Sequence, residues 1–296
     1  MLASLSAVAS EHVSEETVSF NLPVADCPAV LDPYNQRLKV YDLGAGELTA
    51  SLAEVGEGST DLIGKVTAYA LPGDGRDWTE MGFRREAVIR GFYSDGVDAH
   101  LWAAYADPER LTSANEPVHQ AGVAIAQSKG RLLAPELPEG FDCRIAEPGD
   151  AEQIAGLMAQ TFEDYPTPIE SELINEQIRT LANHFRVVED NEGQLAAVAS
   201  AEIDHSRASA EMTDCATRLD LRGKGLMAYI LDRLERDLRS RFGITDLYTL
   251  ARADEIGMNC VFSKLGYDFS GRLINNCRMP NGWESMNVWC KSAVPI

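Results

Sequence analysis

Ala208-Ser209-Ala210-Glu211-Met212-Thr213-Asp214-Cys215-Ala216-Thr217, followed after four residues by Arg222-Gly223-Lys224-Gly225-Leu226-Met227, is the stretch on which the fold turns. Its first part reads as a strand. From Leu226 onward Met227, Ile230, Leu231, Leu234 and Leu238 recur at helical spacing, with charges on the opposite face. Between strand and helix, Gly223 and Gly225 let the backbone turn so that successive N–H groups converge. Those groups and the positive dipole end of the helix favour an anion, and Arg222 and Lys224 add charge. A lone Gly-x-Gly also serves as an ordinary connector; its place between a strand and a long amphipathic helix favours a phosphate-holding loop.

Outward from this loop the elements alternate. A strand at Cys143–Ala146 leads through Pro148-Gly149-Asp150 into a helix over Ala151–Thr161, and a second helix runs near Ser171–Asn183. Phe185–Glu189, the turn Asp190-Asn191-Glu192-Gly193 and Gln194–Asp204 form a hairpin. Beyond the long helix come a strand at Ile244–Ala251, a helix at Gly257–Leu265, and closing strands at Leu273–Asn276 and Met286–Lys291. This is an α/β order built on one mixed sheet. Ser128-Lys129-Gly130, Pro135, Pro138 and Gly140 are linker chemistry, so the sequence predicts domains over residues 21–138 and 139–296. Residues 1–20, rich in Ser, Glu and Ala, are expected to carry no fixed structure.

The first half echoes the second. Glu80-Met81-Gly82-Phe83, then Ala87, Ile89 and Trp102, parallel Lys264-Leu265-Gly266-Tyr267, then Gly271, Leu273 and Trp289; Thr60-Asp61-Leu62 mirrors Thr245-Asp246-Leu247. A decayed partial copy is implied, with a helix around Glu47–Val55 in place of the long one. The copy has no Arg-Gly-Lys-Gly counterpart, so one cofactor site per chain is expected, with the first domain supporting or covering the second.

Composition narrows the partners. With 296 residues and 45% hydrophobic content, the chain can bury a proper core. A net charge of −20 argues against nucleic acid or an anionic membrane and favours a small or cationic ligand. Lysine occurs only at Lys39, Lys65, Lys129, Lys224, Lys264 and Lys291, and an acidic, arginine-dominated surface of this kind suits a salty cytoplasm. No signal peptide or membrane span is legible, so a cytoplasmic location is expected. Cys27, Cys143, Cys215, Cys260, Cys277 and Cys290 lack metal-ligand spacing, so reduced thiols and no metal are expected. Oligomeric state is not written in the sequence; a homodimer is among the states open to it.

In this setting Cys215-Ala216-Thr217, four residues, and Arg222-Gly223-Lys224-Gly225-Leu226-Met227 resemble the central signature of the GNAT superfamily of N-acetyltransferases, with Met227 where Gly or Ala is usual. The resemblance implies a GNAT fold, a mixed splayed sheet flanked by helices, preceded by a smaller degenerate GNAT-like α/β domain. It implies acetyl-CoA as cosubstrate, aligned by the backbone of Cys215, Ala216 and Thr217 and held at its pyrophosphate by Arg222, Gly223, Lys224, Gly225, Leu226 and Met227. Asn259 matches the cofactor-facing asparagine of the next helix and is equally readable as a helix cap.

In the same family Glu211 stands at the usual place for a general base, with Asp214 as alternative base or ammonium partner. The work is real: at pH 7 deprotonating an amine of pKa near 10.4 costs roughly 4–5 kcal/mol. Strict alternation puts Glu211 and Asp214 on opposite faces; a bulge of the kind this family carries there would unite them. Phe262 appears where many relatives place a tyrosine acid, so no acid is assigned.

Further segments resemble the β-lysine N-acetyltransferase family: Ser200-Ala201-Glu202-Ile203-Asp204, Leu273-Ile274-Asn275-Asn276-Cys277-Arg278, Met286-Asn287-Val288-Trp289, Glu86-Ala87-Val88-Ile89 and Gly91-Phe92-Tyr93. This implies acetylation of the terminal amine of β-lysine, giving a zwitterionic osmolyte. Glu202 and Asp204 would receive ammonium, and Asn275, Asn276 and Arg278 the carboxylate. Two alternatives stay open at this point: acetylation of another diamine, polyamine or lysine side chain, and an acetyl-CoA-binding regulator without turnover.

Overall fold

The structure, a computed structural model, describes residues 17–22, 26–54, 63–73, 75–162 and 169–292. The first half folds as β1 (Val18–Asn21), β2 (Pro28–Asp32), β3 (Arg37–Leu43), α1 (Ala45–Glu54), β4 (Lys65–Ala70), α2 (Gly75–Glu80), β5 (Arg84–Ile89) and β6 (Ala99–Tyr105), with sheet order β1-β2-β3-β4-β6-β5. Helix α3 (Glu116–Gln127) follows. The second half comprises β7 (Phe141–Ile145), α4 (Ala151–Thr161), α5 (Ser171–Thr180), β8 (Asn183–Asp190), β9 (Leu195–Asp204), β10 (Ser209–Thr217), α6 (Leu226–Asp237), β11 (Leu247–Arg252), α7 (Ile256–Lys264), β12 (Asp268–Met279) and β13 (Gly282–Lys291). Its sheet runs β7-β8-β9-β10-β11-β13-β12.

Without β7 the two sheets have one strand order. In each, a parallel pair is joined by a helix, β3–α1–β4 in the first and β10–α6–β11 in the second. The residue echo holds in register: Trp102 opposes Arg85 as Trp289 opposes Phe269. One difference is functional in kind. Gly44 alone joins β3 to α1, whereas residues 218–225 separate β10 from α6.

Four sequence expectations meet a different outcome or fall outside the described residues. Residues 18–20, placed in an unstructured tail, join Asn21 in β1 and pair antiparallel with β2, because the edge of that strand offers its hydrogen-bonding groups; residues 1–16 lie outside the description. Thr60-Asp61-Leu62 also lies outside it. Helix α5 stops at Thr180 because Leu181 takes a left-handed φ of 58° and Asn183 begins β8. The closing strands are longer than read, since bulges let β12 continue through its polar Asn275-Asn276 stretch.

The periodic face of α6 drives the second core. Leu226, Met227, Ile230, Leu231 and Leu234, with Leu238 in the π-helical turn that follows, are all buried in the core that α6 forms with β8–β10. At about 1.5–3 kcal/mol for each large apolar side chain, this face outweighs any capping term. Among the described residues no helix is long and apolar enough to cross a membrane, and all six cysteines are free thiols.

The two sheets join where the echo pairs its own members. Gly271 on β12 lies on Ala87 of β5: a Cβ built on Gly271 would stand 2.3 Å from the Glu86 carbonyl oxygen and 2.6 Å from Ala87 Cα. Beside this contact the buried Lys65 Nζ meets Glu86 Oε2 at 2.8 Å and donates to the Ile274 carbonyl, also at 2.8 Å. Gly271→Ala is therefore expected to lower stability by about 3 kcal/mol, combining a backbone clash with a strained φ of +148°. Urea unfolding checks this. An unchanged midpoint would mean that the junction is looser than described.

Candidate active site

Strands β10 and β11 pair at two positions only, Ala210 with Leu247 and Glu211 with Tyr248. Beyond Glu211 they part. On its other side β10 stays paired with β9 to Thr217, through a register shift between Thr213 and Ala216 where Asp214 adopts a φ of +50°. The backbone of Cys215–Thr217 thus presents an edge toward β11 that this ladder leaves free. At the end of that edge sits the glycine loop. Gly223 and Gly225 hold φ of +81° and +85°, and a Cβ on either would meet nothing within 4 Å. Arg222, Gly223, Lys224 and Gly225 are exposed, and Gly225 is the N-cap of α6. Met227 turns its long side chain into the core, away from the loop's open face.

The same bulge unites the carboxylates. Glu202 stands directly opposite Glu211 across the β9–β10 ladder, and Asp214, which accepts a 2.5 Å hydrogen bond from Ser200 Oγ, lies near enough to act electrostatically on both. Burial, then the negative charge of Glu202, pushes the Glu211 carboxyl up to about 7; Lys39 and a hydrogen bond from Tyr248 pull the other way. Partial desolvation at the cavity wall also raises Glu202, with Lys39 opposing and Asp214 and Asp204 reinforcing. Asp204 serves the β9–β10 turn: it accepts from Ser206 N at 2.9 Å and Arg207 N at 3.0 Å and pairs with the Arg207 guanidinium.

The first sheet closes this space. A cavity of about 500 Å3 is bounded by Val30, Tyr41 and Phe92 from the first half and by Glu202, Asp204, Arg207 and Tyr248 from the second. Arg207 spans the two halves, bonded to both Asp42 and Asp204, with its guanidinium 5.1 Å from the Tyr41 ring centre. Lys39, Tyr41 and Tyr248 went unnoticed as site residues in the sequence. For Lys39 a signal existed: it is one of only six lysines in a chain of net charge −20.

Other residues named from the sequence stand elsewhere. Asn259 Nδ2 donates to the carbonyls of Arg252 and Glu255, both at 2.9 Å, and Oδ1 accepts from Asn287 Nδ2 and Trp289 Nε1, both at 2.8 Å. Its hydrogen-bonding capacity is spent inside the fold. Asn275 and Asn276 are buried in the β12 bulge, where Arg110 binds the Asn275 carbonyl at 2.8 Å and Asn275 Nδ2 reaches the Arg110 carbonyl at 3.0 Å. In register, Glu211 leads through Tyr248 and Cys290 to Asp268. Asn275 lies roughly 20 Å farther along β12 at about 3.3 Å per residue, and Arg278 is farther still and exposed. These residues fasten the two halves instead of meeting the acidic cluster. Phe262 is buried with its ring 5.2 Å from Tyr267, so no phenol stands at that position. No group of three or more His, Cys, Asp or Glu able to hold a metal occurs among the described residues.

Residues 152–267, which include the bulged strand, the loop and α6, match the family model described as Acetyltransferase (GNAT) family. The chain is 35% identical to the beta-lysine N(6)-acetyltransferase of Methanosarcina mazei, covering 78% of this chain and 92% of that protein. It belongs to the GNAT acetyltransferases. This acetyltransferase is also 31% identical to N-acetyltransferase YodP of Bacillus subtilis, over 88% of its own length and 94% of the relative's. To the beta-lysine N(6)-acetyltransferase of Methanococcus maripaludis it is 28% identical, over 91% and 97%. These alignments extend well beyond the GNAT segment, so the first sheet of the acetyltransferase is part of what its relatives share.

Proposed function

We propose that the protein transfers the acetyl group of acetyl-CoA to the terminal amine of β-lysine, forming N6-acetyl-β-lysine as a cytoplasmic compatible solute. The carrying observation is Glu211, a carboxyl raised to about 7, standing where β10 and β11 part and set in register between Glu202 and Tyr248, both of which line the acidic cavity. The loop fits a pyrophosphate. Its glycine backbone is left-handed, the space above it is open, and the first amides of α6 have no partner within the helix. Arg222 and Lys224 add charge, and the free edge of Cys215–Thr217 would receive the amide-bearing pantetheine arm.

With the thioester in the gap, Glu211 takes a proton from the incoming ammonium, directly or through one water. The amine nitrogen then bonds to the thioester carbonyl carbon, the adduct's nitrogen releases its second proton to solvent, the carbon–sulfur bond breaks, and the thiolate, a tolerable leaving group at a thiol pKa near 8.5, takes up a proton from solvent. Glu202 and Asp214 attract the ammonium, and Tyr248 orients the base. β-Lysine enters with one net positive charge and leaves neutral, as an accumulated solute requires. The names carried by two of the relatives support this acceptor.

A thiol-release assay with β-lysine, α-lysine and spermidine tests the acceptor. We expect kcat/KM for β-lysine to exceed the other two by about tenfold or more, the scale at which one buried charge contact discriminates. Turnover of spermidine or α-lysine without turnover of β-lysine would sink the proposal.

A further inference from the structure

Lys39 holds in the first sheet the place that Glu211 holds in the second. Two independent registers agree. Starting from the paired tryptophans, Trp102 is followed by Ala103, which opposes Thr67, which opposes Lys39; Trp289 is followed by Cys290, which opposes Tyr248, which opposes Glu211. Starting from the bulges, Lys39 stands three residues before Asp42, at φ +60°, and Glu211 three residues before Asp214, at φ +50°.

Neighbours of both places line one space. Arg37, Lys39 and Tyr41 share one face of β3. At one end of that face Arg37 reaches the Asn276 carbonyl at 3.4 Å and Cys277 Sγ at 3.8 Å on β12; at the other, Tyr41 lines the cavity with Glu202 and Tyr248. Lys39 lies between them, and Val30, its partner on β2, lines the same cavity. Its charge acts on both Glu202 and Glu211. The neighbouring cations are committed, Arg37 to Asp32 at 2.8 Å and Arg207 to Asp42 and Asp204. Among the described residues the Lys39 ammonium has no ion pair or hydrogen bond.

A cation in a pocket meant for ammonium groups weakens the binding of a plain polyamine. It is useful only if the acceptor also brings an anion. We propose that Lys39, at the catalytic position of the first repeat, binds the carboxylate of the acceptor and so selects amino acids over diamines that lack a carboxylate. This rests on the function proposed above. The first sheet then does more than cover the second: its counterpart of the base position supplies half of the acceptor's recognition.

The test compares β-lysine with 1,4-diaminopentane, the same skeleton without its carboxylate, on the high-pH plateau of each enzyme so that Glu211 is ionised throughout. Lys39→Met is expected to lower the β-lysine to diaminopentane ratio of kcat/KM by about 10- to 100-fold, the effect of losing one charge-assisted hydrogen bond. KM for β-lysine should rise, and kcat/KM for the diamine should also rise once the like charge is gone. Lys39→Arg should keep most of the preference. If the methionine variant does not fold, Lys39→Gln gives the same ratio. An unchanged ratio, or equal losses on both amines, overturns the assignment of Lys39 alone. A wild-type enzyme inactive on β-lysine removes the substrate and this assignment together.

Discussion

Glu211→Gln is expected to lower kcat at pH 7 by about 10²–10⁴-fold, the range a positioned general base supplies. The amide cannot accept the ammonium proton, so turnover falls to what the small free-amine fraction supports. Because burial and Glu202 push the Glu211 carboxyl up to about 7, the wild-type rate should climb tenfold per pH unit below that value and level off above it. The sign follows from the base being active only when ionised. In the variant this limb vanishes, and the rate instead rises steadily toward the pKa of the amine near 10.4. Affinity for acetyl-CoA should be kept, since Glu211 lies at the far end of the strand from the loop. A variant that retains the wild-type profile near pH 7 would remove Glu211 as the base.

Gly225→Val is expected to raise KM for acetyl-CoA about 100-fold, the loss of roughly two charge-assisted hydrogen bonds, with kcat at saturation changed only a few-fold. Gly225 holds φ +85° with open space above it. A β-branched residue resists that conformation by about 1–2 kcal/mol and puts methyl groups where phosphate oxygens must approach. Gly193, at φ +72° in the β8–β9 turn and equally uncrowded, provides the control. Gly193→Val should show a similar stability loss by urea unfolding and an unaltered KM. If both variants raise KM alike, backbone strain and not the phosphate cradle is responsible.

Legibility in the sequence followed the range of the forces involved. The loop could be read because glycines at left-handed positions, flanking charge and a following apolar period are all local. The bulge that gathers Glu211 and Asp214 could be anticipated only through likeness to a family, since nothing in Thr213–Ala216 itself forces a register shift. Asn275 and Asn276 were misplaced for a related reason. Two adjacent amides on a closing strand look like ligand donors until Arg110, distant in the chain, is seen to take their carbonyls.

By itself the sequence determined the mixed sheet of the second half, the amphipathic α6, the glycine loop before it and the strand that carries Glu211, because strand alternation, helical period and turn chemistry act between near neighbours. It also carried the echo between the halves, as spaced glycines and tryptophans. Only the tertiary structure decided that the two halves meet at equivalent positions, Ala87 on Gly271, that Tyr41 lines the cavity beside Glu202 and Tyr248, and that the charge of Lys39 reaches Glu211. Contacts between residues so far apart in the chain leave no period to read. They exist because two buried faces pack together, and the charge on each is then set by what the other brings.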